Sequence, residues 1–238
     1  AGCKVFPGIE GQLHWCPGAG AGGTGLHPGN GVMDGYGPPS LEYMRAVAAN
    51  HYRGGADGIS LFNFTCADGA FCRDALDELA DPRALVDRDK QYVLALWPWD
   101  SQIYEAPWMS RFRLAPGEIQ ARWPLRIADD LAAYRDRGRS FAAMLTVEWK
   151  GLNRLGDIEV RLNGIPLHWN GFHYNHYDHG CWNDIVRYTV PPEALHQGTN
   201  TIELKRLAEI PGFDGATEVR KCVLDVCFSH TVTLGSPV

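Results

Sequence analysis

The segment HWNGFHYNHYDHGCWND, residues 168–184, gathers His168, His173, His176 and His179 with Asp178, Cys181, Trp169, Phe172, Tyr174, Tyr177 and Trp182. Three chemistries suit these residue types. Imidazole and thiolate are the usual ligands of transition metals, but the spacing here matches no defined metal site, so no metal or cofactor is assigned. An indole offers a flat apolar face to a sugar ring while Asn and Asp take its hydroxyls, which makes Trp169 and Trp182 candidate substrate-binding residues and carbohydrate the candidate ligand. The third use is structural: a long loop between strands that packs its rings against the rest of the chain.

Composition narrows the classes. The chain has 238 residues, 45% of them hydrophobic and 21% charged, with a formal net charge of -6, which suits a folded chain with one or two cores. The mild acidity and the lack of a Lys/Arg run give no footprint for nucleic acid or anionic lipid. No apolar run is long enough to cross a bilayer. The opening residues AGCKVFPGIEG lack the basic start and apolar centre of a signal peptide, so an export signal is expected only outside this chain, and the compartment is left open. Cys3, Cys16, Cys66, Cys72, Cys181, Cys222 and Cys227 are odd in number and form no CxxC pair. Buried free thiols are the expectation, although Cys66 and Cys72 flank a short loop that a disulfide could close.

The elements that must position these residues fall into two regions, α/β first and all-β second. CKVFPGIEG reads as a short buried strand from Lys4 to Ile9, followed by a glycine-rich loop from Gly11 to Pro39 of a length usual only in functional or mobile segments. Ser40, after two prolines, is a natural helix N-cap. Leu41, Met44, Val47, Ala48 and then His51 and Tyr52 recur at helical spacing, and Gly54 with Gly55 stops the helix. Gly58 to Phe64 reads as a continuous apolar strand covered on both faces, with Asn63 near its end. Strand, helix and strand make one βαβ unit with parallel strands. Asp57, before the second strand, is expected in a turn or capping role.

The composition changes near LWPWDSQIYEAPW, so residues 1–95 are expected to form the first domain, 96–109 a linker and 110–238 the second. In the second, SRFRLA, FAAMLTVEWKGL, DIEVRLNGIPL, DIVRYTVPPEAL, NTIELKRL and TEVRKCVLDVCFSH read as half-buried antiparallel strands, with Val147, Trp149, Ile158, Val160 and Leu162 alternating with polar neighbours. LNG at Leu162–Gly164 and QGTN at Gln197–Asn200 are turn sequences. Short strands between turns imply a β-sandwich or jelly roll.

GIEG, ANHYRGGADGISLFNF and DELADPRALVDRDKQYVL together resemble the last two strand units and the exit helix of a glycoside-hydrolase-like (β/α)8 barrel. The strands from LNGIPL to VPPEALHQGTNTIEL are similar to the galactose-binding-like jelly-roll modules attached to carbohydrate-active enzymes. The resemblance implies a partial (β/α) barrel followed by an antiparallel β-sandwich, and a partner in the missing N-terminal barrel segment of the same protein. Barrel sites lie at the C-terminal ends of the strands. It therefore implies Glu10 as a catalytic carboxylate, with His14, Trp15 and Asn63 as substrate-binding residues. Each has a structural alternative: Glu10 holding the glycine loop, Trp15 a lid on the core, Asn63 satisfying backbone at its strand end. Glycoside hydrolysis needs two carboxyl groups, and Glu10 is the only candidate at a strand end, so the chain alone is expected to be inactive. The aromatic segment is expected at the junction of the regions, with Trp169 or Trp182 buried.

Overall fold

The computed structural model of the chain describes residues 3–10, 40–62, 75–95, 113–114, 120–150, 156, 158–178, 181–207 and 217–228. They fall into two compact units, one comprising Ala1–Tyr92, Ile127–Ala142 and Asp225–Val238, the other Val93–Arg126 and Ala143–Leu224. The segment 96–109, expected as a linker, lies outside the described residues.

In the first unit the expected βαβ order is present as β1 (Gly8–Glu10), α1 (Leu41–Arg53) and β2 (Ser60–Phe62), and the two strands pair in parallel, Gly8 with Ser60 and Glu10 with Phe62. Helix α1 starts where Ser40 Oγ accepts the N–H of Tyr43 at 3.1 Å and ends where the Gly54 N–H donates to Asn50 O at 3.0 Å. Its Met44 and Ala48 join Ala75, Leu79 and Leu85 in a buried cluster, against which Leu41, Val47, Tyr52, Ile59 and Leu61 pack. The Tyr52 hydroxyl donates to Leu79 O at 2.8 Å, and Arg45 grips Glu78 with two parallel bonds, one of them 3.0 Å from Nη2 to Oε1.

Two expectations for these strands are corrected. The first strand begins at Gly8, not Lys4, and the residues before it are not buried: Val5 is 53% and Phe6 58% exposed. Pro7 has no N–H to give a ladder, and the preceding residues are tied instead to the turn before β2. Nor is β2 covered on both faces, because Ser60 is exposed while Ile59 and Leu61 are partly buried against the cluster. Among the described residues the apolar side chains available to cover this small sheet come from α1, Ala75, Leu79 and Leu85, which form a single cluster. A βαβ unit of two strands is what is observed; a barrel wall takes eight.

The rest of the first unit is organised around a lysine. Lys90, at the start of β3 (Lys90–Ala95), is 1% exposed. Its Nζ donates to Leu85 O at 2.6 Å, to Arg88 O at 3.1 Å and to Asp129 Oδ1 at 2.7 Å, which uses all three ammonium donors. The other Asp129 oxygen accepts the Tyr92 hydroxyl at 2.7 Å, and the Phe228 ring lies 5.3 Å from Nζ. Asp129 stands just before α2 (Leu131–Asp136), whose N-cap is Asp130, and this helix brings Tyr134 edge-on to Phe228 at 4.9 Å. The Phe228 N–H donates to Asp89 Oδ1 at 2.7 Å, Gln91 Nε2 to Asp225 Oδ1 at 2.9 Å, and Asp87 accepts from both Arg137 and Arg139.

The second unit is built of strands. One sheet has the order β3, β12 (Thr217–Cys227), β6 (Ala142–Lys150), β10 (Cys181–Val190) and β9 (His168–Asp178), with β4 (Arg113–Leu114) also paired to β12. The other has the order β5 (Gln120–Ile127), β11 (Gly198–Arg206), β7 (Ile158–Leu162) and β8 (Ile165–Pro166). The pairs β6–β10, β9–β10, β7–β11, β7–β8 and β4–β12 are antiparallel. Leu145, Val147 and Trp149 of β6 stand opposite Tyr188, Val186 and Asp184 of β10, all buried. Trp123 and Leu125 of β5, Val160 and Leu162 of β7, and Ile202 and Leu204 of β11 supply a buried row on the other sheet. Two mostly antiparallel sheets, each with an apolar face, are compatible with a β-sandwich. Cys222 is buried as a free thiol, pushed up to about 12 by loss of solvent, whereas free Cys3 is exposed; Cys66 and Cys72 lie outside the described residues.

Turn chemistry pins the four-stranded sheet. Asn163 and Gly164 have φ of 52° and 81°, the left-handed pair that a two-residue hairpin requires. Asn163 Nδ2 donates to Asn200 Oδ1 at 2.8 Å and to Ala194 O at 2.7 Å. The fully buried Asn200 also accepts the His196 N–H and donates to His196 O and Gly198 O.

Two stability measurements follow. Asp129→Ala leaves a buried ammonium without its counter-charge and is expected to cost about 3–5 kcal/mol in urea denaturation, more than the double change Lys90→Met with Asp129→Leu, which removes both charges. Equal stability of Asp129→Ala and the unaltered chain would rule out the buried pair. Asn200→Ala should cost about 3 kcal/mol, and Asn200→Asp at least as much, because it sets a buried carboxylate oxygen against the His196 and Gly198 carbonyls.

Candidate functional site

The carboxyl ends of β1 and β2 lie side by side because the strands are parallel and in register, so Glu10 stands opposite Phe62 at the end where strand-borne sites of α/β folds are built. The Glu10 side chain lies outside what the structure describes, as do His14, Trp15 and Asn63. Their sequence-based roles therefore rest on strand position alone.

What aims β1 is visible at its other end. Asp57 accepts the Val5 N–H at 2.9 Å and the Lys4 ammonium at 3.1 Å, while its own N–H donates to Val5 O at 2.9 Å. The Ser60 N–H donates to Pro7 O at 2.9 Å and so starts the parallel register. Asp57 thus takes the turn role expected of it. Gly58 completes the clasp: a Cβ there would lie 2.6 Å from the Phe6 ring, which would have to shift to admit it. The Val5 N–H first, and the Lys4 hydrogen bond second, hold the Asp57 carboxyl below the ordinary carboxylate range.

The aromatic segment is not a loop. Residues 168–178 are strand β9 and residues 181–190 strand β10, an antiparallel hairpin with register shifts between Asn183 and Ile185 and between Arg187 and Tyr188. The aromatic rings that suggested a ligand-binding loop are also strand formers, and the ladder uses them so. Of the two indoles, one of which was expected to be buried, Trp169 is 55% exposed, on the last strand in its sheet's order. The Trp182 side chain lies outside the described set.

The hairpin separates what the sequence grouped. Trp169 stands opposite Tyr188, whereas Trp182 stands opposite Tyr177, roughly 25 Å along β9 at about 3.3 Å per residue. As strand positions, 169 and 182 are too far apart to serve one monosaccharide, and 168 and 176 too far apart to serve one ion. The strand neighbours of Trp169, His168 and Asn170, point to the opposite face of the sheet, where Asn170 Nδ2 donates to Thr189 Oγ1 at 2.6 Å. Gly171, opposite Arg187, leaves the arginine stem to fill the place of a side chain, 3.6 Å from where a Cβ would stand. Tyr188 is buried, which pushes its hydroxyl well above the ordinary tyrosine range. This end of the hairpin offers one exposed indole, whose flat apolar face suits stacking.

Sequence reasoning gave no chemistry to DRDK, yet Lys90 forms a buried ionisable cluster with Asp129 and Tyr92. It is closed to chemistry. Every Lys90 donor is used, and burial, with the Asp129 charge next, raises the Tyr92 hydroxyl far beyond the range in which it could give a proton near neutrality. Nothing local in the sequence marks a lysine at a strand start as the partner of an aspartate that follows β5.

No protein-family model matches the chain, and no curated protein matches it.

The Asp57 clasp gives a pH dependence. Its folded-state carboxyl titrates below the unfolded one, so its contribution is full above about pH 4 and is lost as pH falls through the folded value. Hydrogen exchange at the Val5 amide should be slower in the unaltered chain than in Asp57→Asn at pH 6. The two should converge at the acid end, and an equal rate at both pH values would remove the clasp.

Proposed function

We propose that the chain is the C-terminal part of a carbohydrate-active, glycoside-hydrolase-like protein: a partial (β/α) barrel carrying Glu10, followed by a galactose-binding-like sandwich or jelly roll. The observation that carries this reading is the parallel register of β1 and β2, which ends both strands at the same level with Glu10 on one of them. A two-stranded parallel sheet is a poor independent structure, and further parallel strands from the same protein would complete it. Glu10 would act as one of the two carboxyl groups that glycoside hydrolysis requires, its partner coming from another strand end. His14, Trp15 and Asn63 would line the same end.

A second reading, a non-catalytic carbohydrate-binding or interaction module, is favoured by the exposed Trp169 indole. The two readings separate by experiment. The chain alone should turn over none of a broad panel of aryl glycosides, and a longer protein with the preceding barrel strands should gain an activity that Glu10→Gln abolishes. Turnover by the chain alone, lost in Glu10→Gln, would defeat the fragment reading; an active longer protein indifferent to Glu10→Gln would remove Glu10 from catalysis. For the module, affinity electrophoresis on soluble polysaccharides should show retardation that Trp169→Ala weakens about 5- to 10-fold, the value of roughly 1 kcal/mol of ring stacking. Retardation unchanged by Trp169→Ala would exclude that indole as the contact.

A further inference from the structure

We draw no further inference here: the strongest candidate, the register-paired Thr146 and Arg187 on one face of the six-stranded sheet, whose buried Oγ1 and Nε have no hydrogen-bond partner among the described residues, carries nothing because nothing in the structure shows what covers that face.

Discussion

An ammonium group with no access to water must be surrounded by acceptors, and that requirement at Lys90 shapes the first unit. Two backbone carbonyls and one carboxylate meet it. The carbonyls fix the turn that precedes β3, and the carboxylate comes from the residues between β5 and α2. Segments far apart in sequence thereby become one body: 75–92, 127–142 and 225–228 are joined by Lys90 with Asp129, Asp89 with the Phe228 N–H, and Gln91 with Asp225. Removing two charges from water is costly, and such a pair serves to fix one arrangement more than to add net stability.

The second unit meets a similar constraint with neutral groups. Asn200 is wholly buried in a strand whose other inward residues are Ile202 and Leu204, and its amide is accommodated because the 163–164 turn and the 192–196 segment present matching donors and acceptors. The sheet registers and the turn conformation thus depend on each other. A hairpin with φ positive at both central residues sets the offset of β7 on β8, and the Asn163 side chain then ties that hairpin to β11 through the Thr201 N–H.

Local signals were legible where one residue type has one physical use. Ser40 and Gly54 marked the ends of α1, Asn163 and Gly164 their turn, and the alternating runs of β6, β7, β10, β11 and β12 their strands. Where a residue type has two uses, local reading failed. Aromatic and imidazole side chains in β9 suit a ligand-binding loop or a strand equally well, and only the partner β10 decides between them. Pro124 hid β5, because proline argues against a strand unless the strand lies at an edge. The composition of the unit around Lys90 depends on contacts between distant segments, which no local pattern records. Of the candidate site, strand order placed Glu10 at a strand end, and Trp169 is the predicted contact whose side chain can be seen.

Strand β5 is the last in the order of its sheet, and its exposed positions are Gln120, Arg122, Pro124 and Arg126, alternating with the buried Trp123, Leu125 and Ile127. Arg122 reaches across to Glu203 of β11 at 2.8 Å. A strand at a sheet margin can act as a template on which another polypeptide lays down its backbone and so begins an aggregate. Proline has no amide hydrogen to offer such an incoming chain. The residue that concealed this strand from sequence reading thus also leaves the strand one amide donor short as a template.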